Sequence, residues 1–303
     1  MKCLVVGGAG FIGSNLVDEL IKDKHEVVII DNLSTGKEEN INPKAEFHNI
    51  DICDMHVKGL CSMFEGVEVV FHTAAKARVQ PSIENPIDFN DVNVSGTLNM
   101  LQACVDYGVN RFVFSSSSSV YGDVEEKYLP TSEDTPLSPK SPYALQKLMG
   151  EQYCKLFSEL YDLETVCLRY FNVYGERQNT EGAYCLVMGI FAGQRLEGKP
   201  MTIRGDGEQR RDFTYVGDVV DANIRAGFYI HPIWGDVFNI GNGDNRSVND
   251  IANMIGGDKV NVDPVIEPRE TLADNSKFRK LVNWKPKNKI EDWFPKWKEE
   301  IGL

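Results

Sequence analysis

The stretch Gly7-Gly8-Ala9-Gly10-Phe11-Ile12-Gly13 constrains this 303-residue chain more than any other. It follows a short apolar run at 3–6 and opens a segment at 11–22 whose apolar residues recur at helical spacing. A strand, a glycine turn and a helix in that order present backbone amides and the positive end of a helix to an anion. Gly7 permits the tight turn, Gly10 lets the backbone approach a pyrophosphate, with Phe11 and Ile12 at the helix start, and Gly13 allows close helix packing. Asp31 closes the second apolar run 18 residues after Gly13, where an acidic side chain binds the hydroxyls of an adenosine ribose. A carboxylate there repels a 2′-phosphate. No Arg follows it in Asp31-Asn32-Leu33-Ser34-Thr35-Gly36, so the expected cofactor is NAD rather than NADP, with Asn32, Thr35 and Gly36 beside the ribose.

The rest of the chain fits that beginning. Short β-branched runs at 3–6, 26–30, 45–49, 67–72, 111–116 and 164–169 alternate with helical patterns at 11–22, 87–107 and 143–161. Such alternation predicts an α/β fold, a Rossmann-type doubly wound parallel sheet. After Arg169 the pattern turns irregular, with Gly- and Pro-rich turns at 198–200, 205–207 and 241–243, which reads as a smaller α/β lobe. The expected division is 1–169 plus about 212–240 for the dinucleotide domain, and about 170–211 with 241–303 for the smaller lobe.

Composition excludes several alternatives. A net charge of −13 argues against a nucleic-acid partner, which needs clustered Lys and Arg. No run approaches the roughly 18 apolar residues of a membrane helix, and the first strand leaves no room for a signal peptide, so a cytoplasmic protein with no membrane partner is expected. The seven cysteines form no C-x-x-C pair and the five histidines have no ligand spacing, so no metal is expected.

Tyr143 and Lys147 stand one turn apart on the helix expected to start after Ser141-Pro142. An ammonium beside a phenol, together with an oxidised nicotinamide, lowers the pKa of the phenol and makes it a usable base. With these motifs in order, the chain resembles the extended short-chain dehydrogenase/reductases, and within them the sugar-nucleotide 4-epimerases. The resemblance also covers Asp51-Ile52, His72-Thr73-Ala74-Ala75, Asn93-Val94-Ser95-Gly96-Thr97, 114–122 with its five serines, Arg169-Tyr170-Phe171-Asn172-Val173-Tyr174-Gly175 and Arg210-Arg211-Asp212-Phe213.

That resemblance implies that Asp51 and Ile52 flank the adenine, and that Thr73, Ala74, Ala75, Asn93, Ser115, Ser116 and Tyr170 line the cofactor. Phe171 would approach the nicotinamide. Ser117 would be the catalytic serine beside Tyr143 and Lys147, with Ser116 as the neighbouring candidate. Related dehydratases and decarboxylases carry carboxylates where this chain has Ser118 and Ser119, which favours oxidation and re-reduction at one carbon. On the substrate side it implies that Ser117, Tyr143, Asn172, Leu186, Val187, Arg211, Arg269 and Thr271 contact a UDP-sugar. Leu186 and Val187 could equally be core, and Arg269 and Thr271 sit in a loop shorter than the family's. The implied activity is C4 epimerisation of a UDP-hexose, plain or N-acetylated, by a homodimer joined through the helices at 87–107 and 143–161 as a four-helix bundle. The alternatives are 2-epimerisation or net reduction in the same family, or an NAD-binding member without catalysis.

Overall fold

Leu4, Val5 and Val6 are all fully buried although successive strand side chains point to opposite faces. The first strand is therefore covered on both sides, as parallel strands require. The computed structural model describes residues 1–54, 63–178, 186–264 and 267–303. Its first half runs β1 (Lys2–Val6), α1 (Phe11–Lys22), β2 (Glu26–Asp31), β3 (Glu46–Asn49), β4 (Val67–His72), α2 (Val79–Glu84), α3 (Pro86–Asn90), α4 (Thr97–Asp106), β5 (Arg111–Ser117), α5 (Pro142–Tyr161) and β6 (Glu164–Tyr170). There follow β7 (Val173–Tyr174), α6 (Val187–Leu196), β8 (Met201–Arg204), β9 (Arg210–Asp212), β10 (Thr214–Tyr215), α7 (Val216–Gly227), β11 (Asp236–Ile240), β12 (Asn245–Ser247), α8 (Val248–Ile255), β13 (Lys259–Val262), α9 (Ser276–Val282) and α10 (Ile290–Glu300).

Seven strands form one parallel sheet in the order β3-β2-β1-β4-β5-β6-β11. The chain reverses direction across the sheet between β1 and β4, and a doubly wound sheet opens its ligand crevice at that switch point, beyond the carboxyl ends of the strands. One face packs against α1 and α7 through Val5, Leu16, Val219 and Phe238. The other packs against α4 and α5 through Leu4, Leu101, Phe114 and Cys154. This is the α/β architecture expected from the alternating pattern. A third apolar cluster, with Tyr174, Phe191, Ile203, Ile251 and Trp297, binds α6, α8 and α10 to the pairs β8–β13 and β9–β12.

The single helix expected over 87–107 is instead three pieces, because a π-helical turn, Asp91–Gly96, separates α3 from α4. The wide turn carries the buried Asn93 amide to the backbone of Lys76, where it accepts from N and donates to O, each at 2.9 Å. A polar side chain with better partners off the helix displaced the regular ladder, and such turns gather at functional sites.

Helix α5 lies close enough to β5 that a Cβ at Gly150 would overlap the Phe114 ring. Gly150→Ala should therefore lift the helix from the sheet and destabilise the protein by about 1–3 kcal/mol. A denaturant titration matching wild type would refute that close contact.

Candidate functional site

The crevice is built where β1 and β4 end. Val6 O accepts from the amides of Thr73 and Ala74, both at 2.8 Å, and from Thr73 Oγ1 at 2.9 Å. Gly7 turns the chain away at φ +85°, and a Cβ there would stand 2.6 Å from Ala74 N. A Cβ at Gly13 would collide with Gly7 O. Helix α1 starts at Gly10 with no side-chain cap and no acidic residue in its first turn, so its amides and positive end stay available to an anion. Asp31 ends β2 beside this loop, with Oδ2 accepting from Ala9 N at 2.9 Å and Oδ1 from Leu33 N at 2.8 Å. The cradle fits a dinucleotide: pyrophosphate at the helix start and ribose at Asp31 and Gly36, whose own Cβ would touch that carboxylate. Thr35 is exposed at the rim.

Farther along the crevice, Asn32 Nδ2 donates to Asp51 Oδ2 at 2.9 Å. Burial works against the Asp51 charge, but the Cys53 amide and Asn32 outweigh it and hold the carboxyl below its usual range. Ile52 is buried beside it. Ala74 and Ala75 continue the loop after Thr73, half-buried. The Asn93 amide is spent on Lys76 and on Gln146, 3.0 Å away, so this residue shapes that loop.

Helix α5 begins with a cap the sequence announces: Ser141 Oγ accepts from Ala144 N at 3.1 Å and Pro142 takes the first turn. That start aims Tyr143 at the end of β5, where its hydroxyl meets Ser117, while its backbone amide donates to Ser82 Oγ on α2 at 3.1 Å. Ser116 Oγ turns instead to Glu151, at 2.5 Å, and Ser115 Oγ pairs with the Tyr170 hydroxyl at 3.0 Å. Of the three serines, only Ser117 faces the tyrosine.

Lys147 Nζ donates to the backbone oxygen of Ser115 at 2.8 Å. Burial pushes its ammonium down to about 8. Burial also pushes the Tyr143 phenol up, against the opposing pull of Ser117 and Arg78. The protein part of the site alone thus favours the protonated phenol. Phe171 is 1% exposed, enclosed with Val120, Tyr121 and Ala273. Its ring has no exposed face.

Toward the smaller lobe, Arg211 on β9 is largely buried and donates to Glu267 Oε2 at 2.6 Å. Asn172, strained at φ +20°, donates to the Asp212 carbonyl at 3.3 Å. The Thr271 hydroxyl accepts from Asp212 N at 3.2 Å, so it is part of the frame around β9. Arg269 points outward and pairs with Asp206, both side chains being mostly exposed, which separates its guanidinium from Arg211. Leu186 and Val187 cap and open α6, half-buried against the third apolar cluster; residues 179–185 before them lie outside the described residues.

Residues 3–241 match the family described as the NAD dependent epimerase/dehydratase family. The chain belongs to that family. It is 47% identical over 253 residues to a putative UDP-glucose 4-epimerase of Methanocaldococcus jannaschii, an alignment covering 83% of this chain and 80% of that one. Among solved structures it resembles the UDP-glucose 4-epimerase of Thermotoga maritima with UDP-glucose: TM-score 0.91, 38% identity, 97% of this chain and 96% of that one. It is equally similar in fold to the UDP-N-acetylglucosamine 4-epimerase of Methanobrevibacter ruminantium in complex with UDP-N-acetylmuramic acid, with TM-score 0.91, 36% identity and coverage of 99% and 98%. As in the rest of this epimerase/dehydratase family, the cofactor is NAD.

Three residues at the site have roles there that no motif reading assigned, although Asp212 lies within the Arg210–Phe213 motif. Ser82 receives the Tyr143 amide, Glu151 receives Ser116, and the nearly enclosed Asp212 accepts from the amides of Ala273, Asn242 and Gly243 at 3.0, 2.8 and 2.9 Å. Only Glu151 carried a signal, its eight-residue spacing from Tyr143 on one helical face. Burial pushes the Asp212 carboxyl up to about 6 against those three donors.

The glycine cradle makes a sharp prediction for this NAD-dependent family member. Gly13→Ala forces about 1–3 kcal/mol of overpacking beneath the pyrophosphate, and NAD retained through purification should fall about tenfold. Bound NAD released by denaturation and assayed enzymatically reads this, and wild-type content would sink the placement.

Proposed function

We propose that this protein is a UDP-hexose 4-epimerase that interconverts UDP-glucose and UDP-galactose, with the N-acetylated pair as the further substrate to test. The observation that carries this reading is the meeting of Tyr143 and Ser117 at the end of β5, with hydroxyls rather than carboxylates at Ser118 and Ser119. The named activities of the relatives support it.

The chemistry that bound NAD supplies is reversible acceptance of a hydride from a sugar carbon. The chain provides the rest. Tyr143, assisted by Lys147 and a hydrogen bond from Ser117, takes the proton of the C4 hydroxyl and later returns it. The missing positive charge that the phenol needs is that of the oxidised nicotinamide. Arg211 and Asn172 anchor the diphosphate, for which Arg211 must exchange its Glu267 partner for phosphate. Firm anchoring at the diphosphate with few sugar contacts lets a 4-keto sugar present its other face before hydride returns.

Leu145, Met149, Leu156, Leu160 and Tyr161 leave an exposed apolar stripe on α5, next to Leu98 and Gln102 of α4. An apolar helix face of this kind is suited to a second copy. The proposed assembly is a homodimer in which α4 and α5 of each subunit form a four-helix bundle. The proposed domain division, a dinucleotide domain of 1–169 with about 212–240 and a UDP-sugar lobe of about 170–211 with 241–303, puts this bundle on the dinucleotide side.

Tyr143→Phe should lower turnover by about 10²–10⁴-fold or more while the protein stays folded. Proton NMR of purified enzyme with UDP-glucose, and separately with UDP-N-acetylglucosamine, checks it. Substantial residual turnover would remove Tyr143 from its role, and a wild-type enzyme that converts neither sugar would sink the epimerase reading. For the assembly, Leu156→Glu combined with Leu160→Glu should yield a monomer by light scattering; an unchanged mass would place the interface elsewhere.

A further inference from the structure

Glu151 lies one turn after Lys147 and two after Tyr143, on the same face of α5. Its side chain is 1% exposed, and that of Arg169 on β6, which it pairs with, is 4% exposed. The pairing is bidentate: Arg169 Nε donates to Oε1 at 2.8 Å and Nη2 to Oε2 at 2.7 Å. Nη1 donates to the Tyr121 hydroxyl at 2.8 Å, whose own proton goes to Asn239 Oδ1 at 2.7 Å.

A buried ion pair is weak evidence for stability, because well-packed apolar residues often replace one at no cost. What distinguishes this pair is its place. The last three residues of β5 are each tied to a different member of one stripe on α5: Ser117 to Tyr143, Ser115 O to Lys147 and Ser116 to Glu151. Apolar contacts between a helix and a sheet are not directional, whereas polar contacts of fixed geometry set the register.

We propose that the Glu151–Arg169 pair is the positioning element of the catalytic site, clamping α5 to the ends of β5 and β6 and keeping a negative charge one helical turn from the Lys147 ammonium. The proposal rests on the reading of Tyr143 and Lys147 as the working pair. Lys147 faces Glu151 and Cys154 on its own helix, the Ser115 carbonyl and Phe114 ring on β5 and His72 on β4, with Arg169 of β6 behind Glu151. Burial, with a smaller push from Lys147, drives His72 down to about 3, so that imidazole carries no charge at working pH. Burial likewise pushes Lys147 down, while Cys154 and Glu151 act to hold it up. Removing the carboxylate takes away negative charge and leaves the Arg169 cation unbalanced, and both changes make Lys147 release its proton at lower pH.

The test compares NAD-bound wild type with Glu151→Gln and with the neutral double variant Glu151→Met/Arg169→Met, which leaves no unpaired charge should the single variant fail to fold. Lys147 is titrated by carbon NMR of lysine-labelled protein, its resonance identified by loss in Lys147→Met, and kcat and KM are measured alongside. In folded Glu151→Gln the Lys147 midpoint should drop by roughly half a pH unit or more, and in the double variant, where loss of the Arg169 cation offsets part of the effect, by a smaller but still measurable amount, with kcat down about tenfold or more in both and KM little changed. Glu151→Asp should return the midpoint toward wild type. An unmoved midpoint overturns the proposal, even if kcat falls, because a merely structural brace would do that. If wild type epimerises no UDP-sugar, the function reading fails, while the Lys147 titration still decides the role of the pair.

Discussion

Much of this structure depends on one carbonyl. Val6 O ends the first strand by accepting three hydrogen bonds from Thr73 and Ala74, and those bonds fix the gap between β1 and β4 where the winding of the sheet reverses. Because the gap is fixed, Gly7 must turn at positive φ and α1 must begin close behind it, which is why Cβ atoms at Gly7 and Gly13 have no room. The crevice, the positive helix end and the Asp31 carboxylate all follow from that arrangement.

A second set of constraints joins the helix of Tyr143 to the sheet. Gly150 brings α5 against Phe114, Ser141 fixes where the helix starts, and the serines at the end of β5 meet side chains one helical turn apart. The tyrosine is thereby held at the sugar end of the crevice, with its phenol pushed up by burial. Such a group favours its protonated form until a positive charge stands next to it.

The smaller lobe is organised around β9 in another way. Asp212 gathers three backbone amides from two loops, and its neighbour Arg211 carries the buried positive charge, held for the moment by Glu267. In a chain of net charge −13 the enclosed guanidinium of Arg211 is a local positive charge set on a rigid strand.

The sequence by itself determined the α/β class, the glycine cradle with Asp31, and the Tyr143/Lys147 spacing. These are local or periodic features, and a strand-turn-helix or a one-turn spacing means the same thing wherever the chain goes. It did not determine the π-helical turn at Asp91–Gly96, the enclosure of Phe171, the outward Arg269, or the partners chosen by Ser115, Ser116 and Ser117. Each of those depends on groups far apart in the chain: Lys76 for Asn93, Ala273 for Phe171, Asp206 for Arg269, Glu151 for Ser116. Only the tertiary structure decided them, because which of several hydroxyls, rings or guanidinium groups is buried and which is free is a competition for partners that exists only after the chain has closed on itself.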